Sequence, residues 1–191
     1  MKFIKCKIPD VILIEPKIHG DERGYFVETF REDKLSEFLG YKISFCQDNE
    51  SKSKKGVLRG LHYQLPPFTQ TKLVRVIKGR VFDVAVDIRK NSPTFGQYVA
   101  IELNEQNKKQ LLIPRGFAHG FVVLEDDTIF AYKVDSYYSP ECDRGIIFDD
   151  EDIGIDWILP KAELILSSKD KIQPKLNETK ELFEYGINYY E

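Results

Sequence analysis

The chain has 191 residues, 42% of them hydrophobic and 31% charged, which is typical of one globular domain with a buried core. Its 28 lysines and arginines against 31 aspartates and glutamates give a net charge of −3, which argues against nucleic-acid binding by charge neutralisation. The three cysteines are widely spaced, and the sequence lacks a signal peptide and any apolar run long enough to cross a membrane. We therefore expect a cytoplasmic protein with no membrane or nucleic-acid partner.

The first element predicted along the chain is a helix over Glu32–Leu39 that stops at Gly40. Beyond it, alternating apolar and polar residues separated by turn residues predict a series of strands. These strands cover Lys72–Lys78, Val81–Ile88, Tyr98–Leu103, Gln110–Ile113, Gly120–Leu124 and Thr128–Val134. Their spacing of about 8–12 residues indicates an antiparallel sandwich or barrel. A second helix is predicted over Thr179–Tyr185, in a tail after Pro174 that we expect to pack on the surface.

Two of the three histidines, His62 and His119, follow glycine-flanked stretches. A single histidine in a strand is usually a structural residue, but two that face one barrel lumen indicate a functional site. A metal site is the weaker hypothesis, because Gln64 interrupts a His-x-His pair and a third ligand would have to come from Asp83 or Glu28. We therefore expect no metal.

A metal-free site for proton transfer fits the residues better. Such a site needs a base that titrates near neutrality, a cation for a developing oxyanion and an acid. His62 suits the base and Lys72 the cation, and Tyr132 suits the acid because it shares the inward parity of Phe130. The alternative for Tyr132 is a buried aromatic side chain whose hydroxyl group is simply hydrogen-bonded.

Arg23, Arg59 and Lys169 are candidates for phosphate contacts, and the alternative for each is a solvated surface cation. Strict strand alternation places Arg59 and His62 on opposite faces of one strand. If both line one pocket, a bulge must lie between them, and we predict that bulge at Gly60.

The sequence resembles the dTDP-4-dehydrorhamnose 3,5-epimerase family from about residue 3 to residue 171. The stretches RGLHYQ and IPRGFAHGF are highly specific to that family. The matching segments are Asp21–Glu28, Gln47–Ser51, Gly56–Gln64, Lys72–Val76, Asp83–Arg89, Ser92–Gly96, Ile113–Phe121, Tyr132–Lys133, Tyr137–Pro140 and Leu166–Asp170.

This resemblance implies an all-β fold, a cupin-type double-stranded β-helix (jelly-roll barrel) with a few short peripheral helices. It implies a single domain over residues 1–191 with a short C-terminal tail from about residue 175, a homodimer, and no metal or organic cofactor. The implied substrate is a nucleotide-linked 4-keto-6-deoxy sugar. Its 4-ketone acidifies the hydrogens at C3 and C5, so that removal of either gives an enolate whose reprotonation from the other face inverts the carbon.

The resemblance also implies roles for single residues. His62 is the base, Asp170 orients its imidazole, Lys72 stabilises the enolate and Tyr132 is the proton donor. The substrate-binding positions are Arg23, Phe26, Glu28, Gln47, Asp48, Asn49, Arg59, His119, Tyr138, Asp143 and Lys169.

Some of these binding positions carry further expectations. The resemblance implies that Arg23 and Glu28 serve the pocket of a dimer mate and that Tyr138 stacks on the nucleobase. Asp143 stands where many family members carry glutamate, and its shorter reach weakens a base or ribose contact there. We also expect His119 to pair with Asp83.

Three alternatives to a double epimerase remain open. A single-centre epimerase would invert only C3 or C5 of a related sugar, including a GDP-linked heptose. A 3,4-ketoisomerase of the same barrel type would move the carbonyl group, although a histidine pair would be expected for that work. A sugar-binding cupin would show no turnover at all.

Overall fold

The computed structural model describes residues 1–190, and most of its regular structure is β-strand. A single α-helix, α1 (Glu32–Leu39), is described together with two 3₁₀ turns at Lys161–Glu163 and Leu176–Glu178. The strands are β1 (Lys2–Lys5), β2 (Ile12–Glu15), β3 (Ile18–Asp21), β4 (Gly24–Val27), β5 (Gln47–Ser53), β6 (Leu58–Gln64), β7 (Lys72–Lys78), β8 (Arg80–Asp87), β9 (Arg89–Lys90), β10 (Tyr98–Asn104), β11 (Gln110–Ile113), β12 (Phe117–Val123), β13 (Thr128–Val134), β14 (Asp143–Gly145) and β15 (Phe183–Glu184).

Two antiparallel sheets form the body of the molecule. The first has six strands in the order β1-β2-β11-β7-β13-β5, and the second has five in the order β10-β8-β12-β6-β14. Strands β5 to β8 alternate between the two sheets along the chain, and strands β10 to β13 do the same. This winding confirms the predicted jelly-roll barrel.

The two faces of strand β8 pack against different apolar clusters. Val81 and Ala85 belong to the apolar cluster between the two sheets, whereas Val84 and Val86 belong to a second cluster on the outer face. Burying a valine or leucine side chain contributes roughly 1.5–3 kcal/mol. The C-terminal part of the chain covers that outer face, with Trp157 among its buried residues. The second sheet is therefore a middle layer.

The helix α1 has the bounds that the sequence predicted, and it lies against the outside of the first sheet. Its only buried residue is Leu35, which packs in a third cluster with Ile12 and Leu112. The helix ends at Gly40, whose φ of 80° lies in the left-handed region where glycine is favoured.

The predicted helix over Thr179–Tyr185 is wrong, and so is the expectation that the tail packs only on the surface. Phe183 lies in β15, which pairs with β9 in parallel, and its ring is buried 6.1 Å from the ring of Tyr63. The hydroxyl group of Tyr63 donates to the carbonyl oxygen of Glu181 at 2.9 Å. These tertiary contacts outweigh the weak local preference for a helix.

The strands β3 and β4 form a hairpin that pairs with neither main sheet. Its second strand exposes the rings of Tyr25 and Phe26, which are 60% and 68% accessible. Across residues 1–190, the helical segments are too short or too polar to cross a lipid bilayer.

Candidate active site

A cleft of about 630 Å³ opens between the two sheets. This volume is in the range of pockets that enclose small organic molecules. Strands of both sheets and the segment 165–170 line it. The lining residues are Asn49, Glu50, Ser51, Val57, Leu58, Arg59, His62, Lys72, His119, Phe121, Phe130, Tyr132, Ile165, Leu166, Ser167, Lys169 and Asp170.

A β-bulge in β6 allows Arg59 and His62 to line this cleft together. His62 lies opposite His119 on β12, and Arg59 lies opposite Phe121, so three steps along β6 match two along β12. The extra residue in β6 breaks the strict alternation of its side chains. The predicted bulge is confirmed.

Gly60 is required at this bulge for two reasons. Its φ of 128° is one that other residues rarely adopt. A Cβ atom at this position would also lie 2.5 Å from the Cα atom of Gly120 and 2.8 Å from the carbonyl oxygen of His119. Only a glycine lets the two strands approach so closely next to both histidines.

His62 forms a hydrogen-bonded pair with Asp170, which comes from the segment that follows the barrel strands. The distance from His62 Nε2 to Asp170 Oδ1 is 2.5 Å. Ser167 donates from its hydroxyl to Asp170 Oδ2 at 2.9 Å and accepts from the Asp170 backbone N–H at 3.1 Å. Burial opposes ionisation of Asp170, but the hydrogen bond and charge of His62 and the bond from Ser167 lower its pKa overall. Asp170 is therefore an ionised, fixed acceptor.

His119 forms a second pair with Asp83, as the sequence predicted. The distance from His119 Nε2 to Asp83 Oδ2 is 3.0 Å, and both side chains are buried. Burial lowers the pKa of His119, although the charge of Asp83 and its hydrogen bond oppose this. At neutral pH His119 is therefore an uncharged imidazole.

Lys72 begins β7 and reaches across to the other sheet. Its Nζ donates to the carbonyl oxygen of His62 at 3.4 Å. Burial lowers the pKa of Lys72 to about 8, against the opposing charges of Asp143 and Asp83. The ammonium group is poorly solvated, and such a cation interacts strongly with a negative charge that develops next to it.

Tyr132 lies on β13 and faces the cleft, in agreement with its parity with Phe130. Burial raises the pKa of its phenol, the charge of Arg59 lowers it, and that of Asp143 raises it further. The phenol is therefore fully protonated at neutral pH. Next to it, the rings of Phe121 and Phe130 stack at 4.0 Å and form an apolar floor.

A polar cluster stands at the rim of the cleft. The ammonium group of Lys169 binds the carboxylate of Asp143, and the Tyr138 hydroxyl donates to the same carboxylate at 3.1 Å. The side-chain oxygen of Gln47 accepts from the backbone N–H of Tyr138 at 3.4 Å, and the Gln47 amide donates to Asn49 at 2.8 Å. Five predicted binding residues thus lie together, with the carboxylate of Asp143 held by protein side chains.

Four predicted binding residues lie away from the cleft of their own chain. Asp48 points to the opposite face of β5 and binds Lys133 at 2.8 Å. The others, Arg23, Phe26 and Glu28, belong to the exposed β3–β4 hairpin or directly follow it.

Ser167 is the residue of the site that the sequence analysis missed. It stands three positions before Asp170, a spacing at which serine and aspartate often bond to each other's backbone. This local signal was readable in the sequence. The aromatic floor residues Phe121 and Phe130 look like ordinary core residues and carry no such signal.

Among residues 1–190, no three histidine, cysteine, aspartate or glutamate side chains are grouped as a metal ion requires. The two histidines of the cleft are each bonded to a carboxylate instead. A site without metal stays a prediction.

The model of the dTDP-4-dehydrorhamnose 3,5-epimerase family matches residues 5–178 of the chain. The chain belongs to this family. The epimerase of Shigella flexneri is 56% identical over 89% of the chain and 93% of its own length. The Salmonella typhimurium epimerase is 54% identical over 93% of the chain and 97% of its own length.

A solved member of the epimerase family has nearly the same fold. The dTDP-6-deoxy-D-glucose-3,5-epimerase of Legionella pneumophila, solved in complex with dTDP-4-keto-L-rhamnose, is 49% identical and superposes with a TM-score of 0.93. The match covers 97% of this chain and 99% of that one. The family resemblance inferred from the sequence is thereby confirmed.

Proposed function

We propose that this chain inverts C3 and C5 of a nucleotide-linked 4-keto-6-deoxy sugar, converting dTDP-4-dehydro-6-deoxy-D-glucose to dTDP-4-dehydro-L-rhamnose. The observation that carries the proposal is the convergence of a base, a cation and a neutral phenol on one cleft. His62, Lys72 and Tyr132 come from three strands and line it together. The names of the curated relatives give the same reaction.

Proton removal is assigned to His62. Its Nε2–H donates to ionised Asp170, so Nδ1 carries the free lone pair that takes the proton from C3 or C5. The electron pair of the broken C–H bond moves onto the C4 oxygen, and the ammonium group of Lys72 stabilises the enolate that results. Asp170 holds the ring and stabilises the imidazolium once it forms.

Reprotonation from the opposite face is assigned to Tyr132. Its phenol is protonated at neutral pH, and an enolate carbon is basic enough to take a proton from a group with a pKa of ~10. The positive charge of Arg59 favours the phenolate that remains. The phenolate then regains its proton and His62 loses its own, so that the reaction is a net isomerisation.

Residues around the reacting groups and at the rim of the cleft are assigned to the diphosphate, the base and the sugar hydroxyls of the substrate. Arg59 and Lys169 supply two cations for the diphosphate, and Tyr138 offers an exposed ring for the base. His119 and Asn49 are uncharged hydrogen-bonding groups for the sugar hydroxyls. Gln47 and Asp143 are the remaining binding positions at the rim, whereas Asp48 lies on the opposite face of β5.

A homodimer would complete this site. The hairpin that carries Arg23 and Phe26, with Glu28 directly after it, does not line its own cleft and exposes aromatic rings, which is typical of a contact surface. If these residues bind substrate, they bind it in the cleft of a second copy. We also place the enzyme in the cytoplasm, where its free cysteines Cys6, Cys46 and Cys142 stay reduced.

Mixing two inactive variants tests the shared site. His62→Asn removes the base, and Arg23→Ala removes a hairpin cation. A mixed dimer holds one cleft with both intact, so activity should return when the two are unfolded and refolded together. Light scattering on the wild-type protein gives the assembly state, and a monomer that is fully active would refute the shared site.

Proton NMR in deuterated buffer tests the reaction. Wild-type protein with dTDP-4-keto-6-deoxyglucose should place deuterium at both C3 and C5. Deuterium at one carbon would indicate a single-centre epimerase, and movement of the carbonyl group would indicate a ketoisomerase. Binding without exchange would indicate a sugar-binding protein, and neither binding nor exchange would direct the test to GDP- and CDP-linked sugars, heptoses included.

Tyr132→Phe separates the two proton transfers in the same experiment. If Tyr132 only delivers a proton, this variant should lose net inversion more than it loses deuterium exchange. Equal loss of both would overturn the assignment of Tyr132 as the donor.

A further inference from the structure

The last described residues fold back onto the barrel beside the start of β7. The carbonyl oxygen of Tyr189 accepts from the Arg115 guanidinium, and the ring of Tyr190 lies 4.8 Å from the same guanidinium. The Tyr190 hydroxyl bonds to Thr71 Oγ1 at 3.0 Å. Tyr189 and Tyr190 lie beyond residue 178, where the match to the family model ends.

A continuous set of polar contacts joins this tail to the residue before Lys72. The backbone N–H of Thr71 donates to Asp135 Oδ1 at 2.6 Å, and Arg115 binds Asp135 Oδ2 at 3.1 Å. Thr71 therefore bonds to Asp135 through its backbone and to Tyr190 through its side chain. We call the contacts among Thr71, Arg115, Asp135 and Tyr190 the tail latch.

The tail latch is partly shielded from solvent. Thr71 is fully buried, and the side chains of Asp135 and Arg115 are 4% and 16% exposed. A buried ion pair is costly unless its remaining polar atoms are satisfied, and here the tail supplies both an acceptor and a hydroxyl partner. Fully satisfied networks of this kind hold their members in one arrangement.

We propose that Tyr190 is a positioning residue for Lys72, acting through Thr71 to fix the first residue of β7 beneath the reacting sugar. Because Thr71 and Lys72 are neighbours in the chain, a displacement of the Thr71 backbone also displaces the backbone of Lys72. Catalysis is sensitive to such displacement, since a charge misplaced by about 1 Å can cost on the order of a hundredfold in rate. This inference rests on the proposed function, in which Lys72 stabilises the enolate.

The charged and titratable groups that face Lys72 come from other elements. They are Asp143 on β14, Asp83 on β8, His119 on β12 and His62 on β6, whose carbonyl oxygen accepts from Lys72. Tyr190 bonds to Thr71 and does not line the cleft, so a change at Tyr190 leaves these charges in place. A shift in the titration of Lys72 after such a change would therefore report its position and burial.

The test compares Tyr190→Phe with Tyr185→Phe in the epimerase assay across pH. Tyr190→Phe keeps the ring beside Tyr41 and Arg115 and removes the hydroxyl group, which bonds to Thr71 and also to the hydroxyl group of Tyr41. Tyr185 lies in the same tail over Arg89, and its hydroxyl group is outside the latch. Losing one hydrogen bond should lower kcat by about fivefold with KM nearly unchanged.

The pH profile separates positioning from simple stability. A looser β7 admits water to the ammonium group of Lys72, so the fall in kcat at high pH should move to higher pH in Tyr190→Phe. Tyr185→Phe should match the wild type. Thr71→Val, which removes the other hydroxyl of the bond, should reproduce the change, and the double variant should add little to it.

Two results would overturn the proposal. One is a Tyr190→Phe variant with the kcat and pH profile of the wild type. The other is a lower kcat and a lower melting temperature with no movement of the profile, since that describes a tail that only stabilises the fold. An inactive wild-type protein would instead reject the proposed function, so the two failures are distinct.

Discussion

Two histidine–aspartate pairs lie side by side on neighbouring strands, and they differ in exposure and geometry. His62 is 31% exposed and bonds Asp170 at 2.5 Å, whereas His119 is 7% exposed and bonds Asp83 at 3.0 Å. The first carboxylate comes from a loop after the barrel and the second from the adjacent strand. The same pair of side chains therefore occurs once at an open cleft and once inside the barrel.

This difference in exposure and geometry suits His62 to act as the base and His119 to bind the substrate. A base must reach the substrate and must hold its proton once it has taken it, which the exposed His62 and ionised Asp170 allow. Burial keeps His119 uncharged, so it can orient a substrate but stores a proton poorly. Environment, rather than residue type, separates the base from the binding group.

The test with the largest expected effect replaces each histidine by asparagine in a separate variant. His62→Asn should lower deuterium exchange at both carbons by about 10³–10⁴-fold, because burial makes His119, the other histidine of the cleft, a poor acceptor of a proton. His119→Asn should keep measurable exchange and mainly raise KM. NMR exchange rates measure both, and equal loss in the two variants would erase the distinction between the pairs.

The carboxylates provide the next test. Asp170→Asn should lower kcat by about 10²–10³-fold, since an amide neither fixes the His62 tautomer nor stabilises the imidazolium. Asp83→Asn should cost less in kcat and more in melting temperature, because both members of that pair are buried. Calorimetry and steady-state rates on the two variants give the comparison.

Lys72 contacts one histidine–aspartate pair through the carbonyl oxygen of His62 and feels the charge of Asp83 in the other. Removing the charge of Lys72 should reduce kcat by about 10²–10³-fold. Lys72→Met retains the length of the side chain and removes a poorly solvated cation, so its melting temperature should equal or exceed that of the wild type. A variant that unfolds more readily would contradict this account of Lys72.

The pH dependence of kcat is a smaller effect with a fixed sign. Lys72 loses its proton as the pH rises through about 8, so kcat should fall above that pH. The carboxylate pKa of Asp170 is lowered in the folded state, so its stabilising contribution is lost as the pH falls through that lowered value. Rate profiles and acid unfolding curves measure the two effects separately.

The barrel was predictable where local pattern decides the structure. The strands Lys72–Lys78, Gln110–Ile113 and Thr128–Val134 have the bounds that the alternation predicted. The helix Glu32–Leu39 ends at a glycine and was equally clear. The early strands β1 to β4 carry weaker patterns of alternation and were not predicted.

The site was less predictable because its contacts are remote along the chain. The bulge at Gly60 followed from strand alternation once Arg59 and His62 were taken to line one pocket, but the bond between His62 and Asp170 joins positions 108 residues apart. Spacing and periodicity cannot report such a pair, and it was expected only from family resemblance. The same limit explains the tail, where contacts of Phe183 with Tyr63 replaced the predicted helix.

The position of Asp170 also has a consequence for the order of biosynthesis. Translation delivers the strands that carry His62, Lys72 and Tyr132 well before the segment that holds Asp170. The nascent chain can pair those strands while the base still lacks its carboxylate. Catalytic competence therefore arises only as translation nears its end, and a product cut short after β14 leaves the base without its partner even if its sheets form.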